Sequence, residues 1–141
     1  MSFNVLIVDD SNTMRAVIKK VISISGFKMA QCIEAGNGKE ALEALTNNWV
    51  DVIVSDINMP EMNGFELLRS LKEDDLLKNI PVILISTESS DEKIQDAFNM
   101  GANGFIKKPF TPEAVKKILC EVIGESNEEE EDSRDDETFD F

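Results

Sequence analysis

NVLIVDD, residues 4–10, is an almost continuous run of aliphatic residues that ends in two aspartates. Two similar runs follow it, VDVIVSD at 50–56 and PVILIS at 81–86. Continuous hydrophobic runs of this length are typical of parallel strands that helices cover on both faces. Two more mixed runs, KMAQCIEA at 28–35 and NGFIKK at 103–108, complete a set of five predicted strands.

Stretches with the apolar spacing of helices separate these runs. In the first stretch, Met14, Val17 and Val21 recur at intervals of three and four residues, as on one face of a helix. Five strands that alternate with five helices indicate an α/β domain with a parallel sheet. Trp49, just before the third strand, is expected to be a partly buried anchor. The predicted helices span 11–25, 38–48, 63–77, 90–100 and 111–124.

Most of the negative charge lies at one end of the chain. The 141 residues include 28 acidic and 14 basic residues and no histidine. Residues 125–141 contain ten acidic residues and one arginine, a net charge of −9, whereas residues 1–124 carry −5. We therefore expect a globular domain over 1–124 and an acidic, disordered, solvating tail over 125–141. A second interpretation stays open, in which the tail competes with a partner near Lys116, Lys117 and Lys93.

The composition excludes several classes of protein. A net charge of −14 without a basic stripe disfavours binding to nucleic acid or to an anionic membrane surface. Without histidine there is no Ser-His or Cys-His nucleophile and no imidazole zinc ligand. Cys32 and Cys120 lie far apart in apolar surroundings and are interpreted as core residues of a cytoplasmic protein. There is no signal-peptide pattern, and no apolar run approaches the ~20 residues that span a bilayer.

Polar residues collect where the predicted strands end: Asp9 and Asp10, Asp56, Ser86, and Lys108. Each alone could cap the next helix, but ligands of open α/β sheets bind at this edge. Neighbouring carboxylates repel one another unless a cation offsets their charge. Mg²⁺ prefers oxygen ligands, and a carboxylate can act as a nucleophile toward phosphorus. The pattern therefore predicts a site for Mg²⁺, or Mn²⁺ in its place, next to an aspartate that becomes phosphorylated.

Four motifs in this order resemble the CheY-like receiver domain of bacterial response regulators. They are LIVDDS at 6–11, VSDINMPEMNGFELL at 54–68, ILIST at 83–87 and GANGFIKKPF at 101–110. The resemblance covers residues 4–124. It implies a flavodoxin-like, doubly wound (βα)5 fold whose five-stranded parallel sheet has the order 2-1-3-4-5, a fold of which chemotaxis receivers are themselves an example.

The resemblance also implies the residues of the site. Asp56 would be the phosphoacceptor, and Asp9, Asp10, Asp56 and the backbone carbonyl of Asn58 would hold Mg²⁺. Lys108 would contact the phosphoryl group. The neighbouring Lys107 is not expected there, because adjacent residues of a strand point to opposite faces.

The remaining assignments concern switching and the lifetime of the phosphoryl group. The resemblance implies that Ser86 is the switch hydroxyl, and it puts Phe105 at the position of an aromatic residue that changes rotamer. Asn58 and Glu88 are predicted to flank the path of the attacking water and to tune the lifetime. The family also suggests a cis peptide bond between Lys108 and Pro109.

The function implied is that of a stand-alone response regulator in a two-component or chemotaxis pathway. A histidine kinase would donate the phosphoryl group, and the switched surface would bind an output protein such as a flagellar motor switch component, with a phosphatase as a further partner. We expect a cytoplasmic monomer that is not a turnover enzyme. The alternatives are a phosphorelay intermediate, a single-domain receiver unconnected to the motor, and a constitutive docking module. A haloacid-dehalogenase-type phosphatase is disfavoured, since Asn58 stands where a second acid would be needed.

Overall fold

The computed structural model describes residues 2–88 and 90–124, in which five strands alternate with five helices. The predictions for the acidic tail, 125–141, lie outside the described residues. The strands are β1 (Phe3–Val8), β2 (Met29–Ala35), β3 (Val52–Asp56), β4 (Val82–Ser86) and β5 (Gly104–Lys107). The helices are α1 (Asn12–Ser25), α2 (Gly38–Asn47), α3 (Gly64–Lys72), α4 (Asp91–Asn99) and α5 (Pro112–Ile123).

The five strands form one parallel sheet in the order β2-β1-β3-β4-β5. The predicted fold and strand order are confirmed. Strand β1 pairs with both β2 and β3, so the order reverses there. In sheets of this kind a crevice opens where the order reverses, outside the carboxyl ends of the strands.

Apolar layers cover both faces of the sheet, which explains the continuous hydrophobic runs. Successive side chains of a strand point to opposite faces. In β3, Ile53 packs into one layer, whereas Val52 and Val54 pack into the other. The first layer includes Leu6, Leu84, Ala41, Leu67, Leu71 and Ala97, and the second includes Val5, Ile7, Ile83, Ile18, Ile22, Val115, Leu119 and Cys120. Cys120 is buried in the second layer, as expected, whereas Cys32 is only half-buried and packs against that layer.

Every helix begins after a side chain that accepts a hydrogen bond from a backbone N–H in the first turn. Ser11 does so for α1 and Thr111 for α5, and Asn63 and Glu66 form a reciprocal capping box at the start of α3. The predicted end of this third helix at residue 77 was wrong, because α3 ends at Lys72. The Asp74 side chain accepts from the N–H of Leu76 at 2.8 Å, a local bond of the kind that competes with helix formation.

The prediction for Trp49 was also wrong. Its side chain is 78% exposed, and its Nε1–H donates to Asp51 at 3.0 Å. The next residue, Val50, enters the core instead. Trp49 and the exposed Leu76 line a groove of about 750 Å³ at the amino-terminal edge of the sheet. We refer to it below as the Trp49 groove.

Within the described part of the chain, no helix combines the length and the apolar character needed to cross a bilayer.

Replacing Gly64 with alanine should destabilise the fold. A Cβ there would lie 2.5 Å from the carbonyl oxygen of Asp56 and 2.9 Å from the Cα of Ile57. These are backbone atoms that cannot move aside, so we expect the free energy of unfolding to fall by about 1–3 kcal/mol. Urea denaturation measures this change.

The matched control is Gly36→Ala, between β2 and α2. The nearest atom to a Cβ there would be Oε1 of Glu40, at 3.1 Å, which is the far end of a flexible side chain. Equal losses in the two variants would contradict the argument that the start of α3 is pressed against the β3 backbone.

Candidate functional site

The carboxyl ends of β1, β3, β4 and β5 bring the predicted residues to one edge of the sheet. Asp9 directly follows β1, and Asp56 is the last residue of β3. Ser86 ends β4 and is paired in register with Lys107, so Lys108 follows at the same edge. The parallel register therefore gathers side chains that are up to 99 positions apart in the sequence, from Asp9 to Lys108.

Three carboxylates form the centre of this edge. Asp9, Asp10 and Asp56 each offer an oxygen, and these oxygens lie within 4.8 Å of one another. Asp9 is 2% exposed, and its Oδ2 is buried without a hydrogen-bond partner. A buried acceptor that lacks a donor is costly, and a cation would satisfy it. Clustered carboxylate oxygens are the ligands that hard divalent cations prefer, so the residues present fit such an ion.

Lys108 lies between two of these carboxylates. Its Nζ is 3.8 Å from Oδ1 of Asp56 and 4.0 Å from Oδ2 of Asp9, and its side chain is only 16% exposed. Its backbone N–H donates to the carbonyl of Ser86 at 3.0 Å, and its peptide bond with Pro109 is cis. Lys107 is exposed, as the alternation of side chains along a strand requires.

Backbone groups fix the orientation of the Asp9 and Asp56 carboxylates. The N–H of Ser11 donates to Oδ1 of Asp9, and the N–H of Ile57 donates to Oδ1 of Asp56, both at 2.9 Å. The carbonyl of Asp9 accepts a hydrogen bond from the guanidinium of Arg15, which also pairs with Glu34 at 2.9 Å. The position of Arg15 in the sequence did not predict this contact. The available signal was a cation at the start of a helix, where the helix dipole disfavours positive charge.

Burial and mutual repulsion shift the titration of both carboxyl groups upward. Burial raises the pKa of Asp9, and the charges of Asp56 and Asp10 raise it further, against the lowering effect of the Ser11 N–H and Lys108. Burial also raises the pKa of Asp56, while Lys108 and the N–H groups of Ile57 and Asn58 lower it. In both groups, loss of water outweighs the neighbouring lysine.

The loop between β4 and α4 carries the predicted switch and tuning residues. Ser86 is 1% exposed, and its Oγ accepts a hydrogen bond from the N–H of Glu88 at 2.9 Å. The carboxylate of Glu88 is paired with Lys93 in α4 at 2.5 Å. The same ammonium lies 5.9 Å from the centre of the Phe65 ring in α3, within cation–π range. The sequence did not predict this chain of contacts from Ser86 to α3.

Two predicted residues lie at the periphery of the site. Phe105 is half-buried and packs against the apolar layer that contains Leu84. Asn58 is exposed, two residues beyond Asp56. The structure therefore brings together the three aspartates, Ser86 and Lys108, while Glu88 is engaged by Lys93.

The sequence of this chain is similar to sequences of known proteins. Residues 5–120 match the family described as the response regulator receiver domain. The chain is 42% identical over 120 residues to the chemotaxis protein CheY1 of Helicobacter pylori, covering 84% of this chain and 95% of that protein. It is 40% identical over 122 residues to the chemotaxis protein CheY-3 of Vibrio cholerae, covering 86% of this chain and 92% of that protein.

Solved structures of chemotaxis proteins are similar in fold to this chain. The chemotaxis response regulator CheY4 of Vibrio cholerae superposes with a TM-score of 0.76 at 36% identity, covering 86% of this chain and 99% of that one. A chain of the CheX–CheY–BeF3–Mg complex of Borrelia burgdorferi superposes with a TM-score of 0.75 at 34% identity, covering 85% of this chain and 88% of that one.

Asp9→Asn should stabilise the metal-free protein near neutral pH. Folding raises the pKa of Asp9 above its ordinary value of 3.8, so the folded state favours the neutral side chain. The stability that the protonated Asp9 carboxyl contributes is fully present below pH 3.8, and it is lost as the pH rises through the pKa that Asp9 has in the folded state. An amide stays neutral throughout. At about pH 7 we expect the variant to be more stable than the wild type by on the order of 1 kcal/mol in urea denaturation with chelator present.

The gain should shrink as the pH is lowered toward 4, because the wild-type carboxyl then becomes protonated as well. Asp75→Asn serves as the control, since the Asp75 side chain is 93% exposed and should contribute less than about 1 kcal/mol at either pH. A gain for Asp9→Asn that does not depend on pH would refute the electrostatic explanation.

Proposed function

The chain belongs to the family of response regulator receiver domains and is homologous to the CheY chemotaxis proteins, and we propose that it accepts a phosphoryl group on Asp56. The observation that carries this proposal is the position of Lys108, whose ammonium lies beside the Asp56 carboxylate with two further carboxylates close by. A nucleophile, a fixed cation and a cluster of oxygen ligands are the components that transfer of a phosphoryl group requires.

Asp56 attacks the phosphorus in line with the bond that breaks. The N–H of Ile57 donates to Oδ1 and holds the carboxylate in place, and the ammonium of Lys108 lies 3.8 Å from the same oxygen. When the donor is a phosphohistidine, the P–N bond breaks as the P–O bond forms, and the imidazole leaves with the electron pair and takes up a proton. This chain contains no histidine, so the donor is a separate protein, which we propose to be a histidine kinase.

Mg²⁺ is the divalent ion that this site suits, with Mn²⁺ as a substitute. The carboxylates of Asp9, Asp10 and Asp56 and the backbone carbonyl of Asn58 would hold it. When bound, it supplies positive charge to the phosphoryl oxygens. The buried Oδ2 of Asp9, which has no hydrogen-bond partner, supports this assignment.

Phosphorylation then changes the partners of Lys108 and Ser86. The new phosphoryl oxygens carry more charge than the carboxylate did, so Lys108 pairs with them and the Ser86 hydroxyl donates to them. Movement of Ser86 carries the loop with it, because the N–H of Glu88 is bound to Ser86 Oγ. Phe105 shifts into the space that the loop leaves, and the surface around α4, β5 and α5 changes for an output protein.

Asn58 and Glu88 set how long the phosphoryl group lasts. Both follow a site residue by two positions and flank the path by which water reaches the phosphorus. Because Lys93 holds the Glu88 carboxylate, the freedom of Glu88 depends on that pair. Hydrolysis returns Asp56 to its starting state, so the reaction is self-phosphorylation and dephosphorylation at one residue rather than enzymatic turnover.

The relatives support a role in chemotaxis. The similar proteins are named as chemotaxis proteins, and the Borrelia burgdorferi structure is described as a complex of CheY with CheX, BeF3 and Mg. We propose a cytoplasmic, monomeric receiver over residues 1–124, followed by the acidic segment 125–141. Its partners would be the kinase, a flagellar motor switch component and a phosphatase.

Asp56→Asn should abolish Mg²⁺-dependent labelling by a small phosphodonor such as acetyl phosphate, because an amide is not a nucleophile toward phosphorus. Incorporation of labelled phosphate into the intact protein measures the effect. Asp75→Asn, which removes an exposed carboxylate remote in sequence from the site, should be labelled like the wild type. Full labelling of Asp56→Asn would exclude Asp56 as the phosphoacceptor.

Lys108→Ala and Lys107→Ala form a second matched pair. Loss of the buried ammonium should slow labelling of Asp56 by about 100-fold, the effect typical of removing a preorganised donor where charge develops. Lys107→Ala should leave the rate within about twofold of the wild type, since this side chain is exposed and its loss removes no such donor. Equal rates for the two variants would argue against the proposed role of Lys108.

A further inference from the structure

A second groove lies between the end of α1 and helix α5. It has a volume of about 440 Å³ and is lined by Ile24, Ser25, Pro112, Glu113, Lys116 and Lys117. Ile24 is 62% exposed, whereas Ile18 and Ile22 of the same helix are buried. We call this cleft the α1–α5 groove. None of its lining residues belongs to the candidate phosphorylation site.

Two lysines give the α1–α5 groove its charge. Lys116 and Lys117 are exposed, and neither belongs to any ion pair among the described residues. The Nζ of Lys116 lies 3.6 Å from the position that a Cβ would take at Gly26, so this side chain reaches across to the end of α1. Glu113 is the single acidic residue of the lining. The groove therefore suits an anionic segment that also makes a small apolar contact.

The chain itself supplies such a segment. Beyond Gly124 it continues for 17 residues, which include five consecutive acidic residues at 128–132. Gly124 has a φ of 79°, and its N–H donates to the carbonyl of Cys120 at 3.1 Å. This left-handed conformation ends α5 and directs the chain away from the helix axis.

The length of chain between Gly124 and the acidic run is sufficient for the run to reach Lys117. Lys117 stands seven positions before Gly124, which is about 10 Å along a helix at ~1.5 Å per residue. An extended chain covers ~3.3 Å per residue, so three to four residues past the turn bring it level with Lys117. The fourth residue past Gly124 is Glu128, the first of the acidic run.

We propose that the acidic run 128–132 folds back along α5 and docks on Lys116 and Lys117 in the α1–α5 groove. Because the run is tethered to the same helix, its effective concentration is in the millimolar range, so a contact with a Kd of about 1 mM populates the docked form to about one half. Other occupants fit less well, since the net charge of −14 repels both a second copy of the chain and an anionic membrane. The tail is then a built-in competitor for any acidic partner of these lysines.

Zero-length cross-linking of carboxylates to amines by a carbodiimide, followed by mass spectrometry, tests this contact in the full chain. At about 10 mM salt, where the Debye length is ~30 Å, we expect cross-links from 128–132 mainly to Lys116 and Lys117. Their yield should fall by about tenfold near 1 M salt, where the Debye length is ~3 Å. Dilution should not change the yield, because the contact is intramolecular.

The tail contains its own control. Besides the run 128–132 it has five other acids, Glu125, Asp135, Asp136, Glu137 and Asp140. Neutralising the run to the matching amides should move the NMR amide signals of residues 24–26 and 113–117. Neutralising the other five removes the same amount of charge but should move these amide signals much less. In a variant with both Lys116→Gln and Lys117→Gln, neutralising the run should no longer move these amide signals. In a variant with both Lys72→Gln and Lys78→Gln, it should still move them.

Three results would overturn the proposal. Equal cross-linking of the tail to all exposed lysines would mean a general attraction without a site. Unchanged amide signals in the variant with a neutral run would mean that the tail does not touch the groove. A change in the emission of Trp49, the single tryptophan, on replacing Phe139 and Phe141 with alanine would show that the tail occupies the Trp49 groove instead. None of these results depends on Asp56 being phosphorylated.

Discussion

The ammonium of Lys108, 3.8 Å from Asp56 and 4.0 Å from Asp9, is the interaction on which the arrangement of the site depends. Two carboxylates removed from water at adjacent strand ends repel each other and resist ionisation. A cation that is fixed between them makes the cluster compatible with a folded domain. This requires the ends of β1, β3 and β5 to be held in register, so the apolar layers on both faces of the sheet are part of the same arrangement. The raised pKa of Asp9 indicates that one lysine does not fully compensate for the burial.

Much of this architecture could be predicted because hydrophobic runs determine where strands end. The run at 4–9 stops at Asp9 and the run at 50–56 stops at Asp56, so parallel strands put both acids at one edge. The strand order came from the resemblance, since pairing partners leave no local trace in a strand.

The errors concern competition between local and tertiary contacts. α3 ends early where the side chain of Asp74 bonds to the backbone, and Val50 rather than Trp49 enters the core. The contacts of Arg15 with Asp9 and of Lys93 with Glu88 were missed because the partners of long side chains cannot be predicted from sequence spacing.

The loop after β4 is held from several sides. Ser86 accepts a hydrogen bond from Glu88, Glu88 pairs with Lys93, and Lys93 lies over Phe65. The chain of contacts therefore links the end of β4 to α4 and to α3. If Ser86 moves, each of these contacts either breaks or moves with it. This gives a physical route by which a charge at the strand ends is felt on the helices, through contacts that have discrete alternatives.

The pairing of β1 with both β2 and β3 has a consequence for how such a site can change over time. The crevice exists because neighbouring strands send their connections to opposite faces of the sheet, and the apolar layers on both faces, not the aspartates, hold the strands together. Neutral residues at positions 9, 10 and 56 would leave the crevice in place with different chemistry. Evolution and protein design can therefore exchange the reactive groups of this scaffold while its framework stays the same, which is one reason why a single fold serves many unrelated activities.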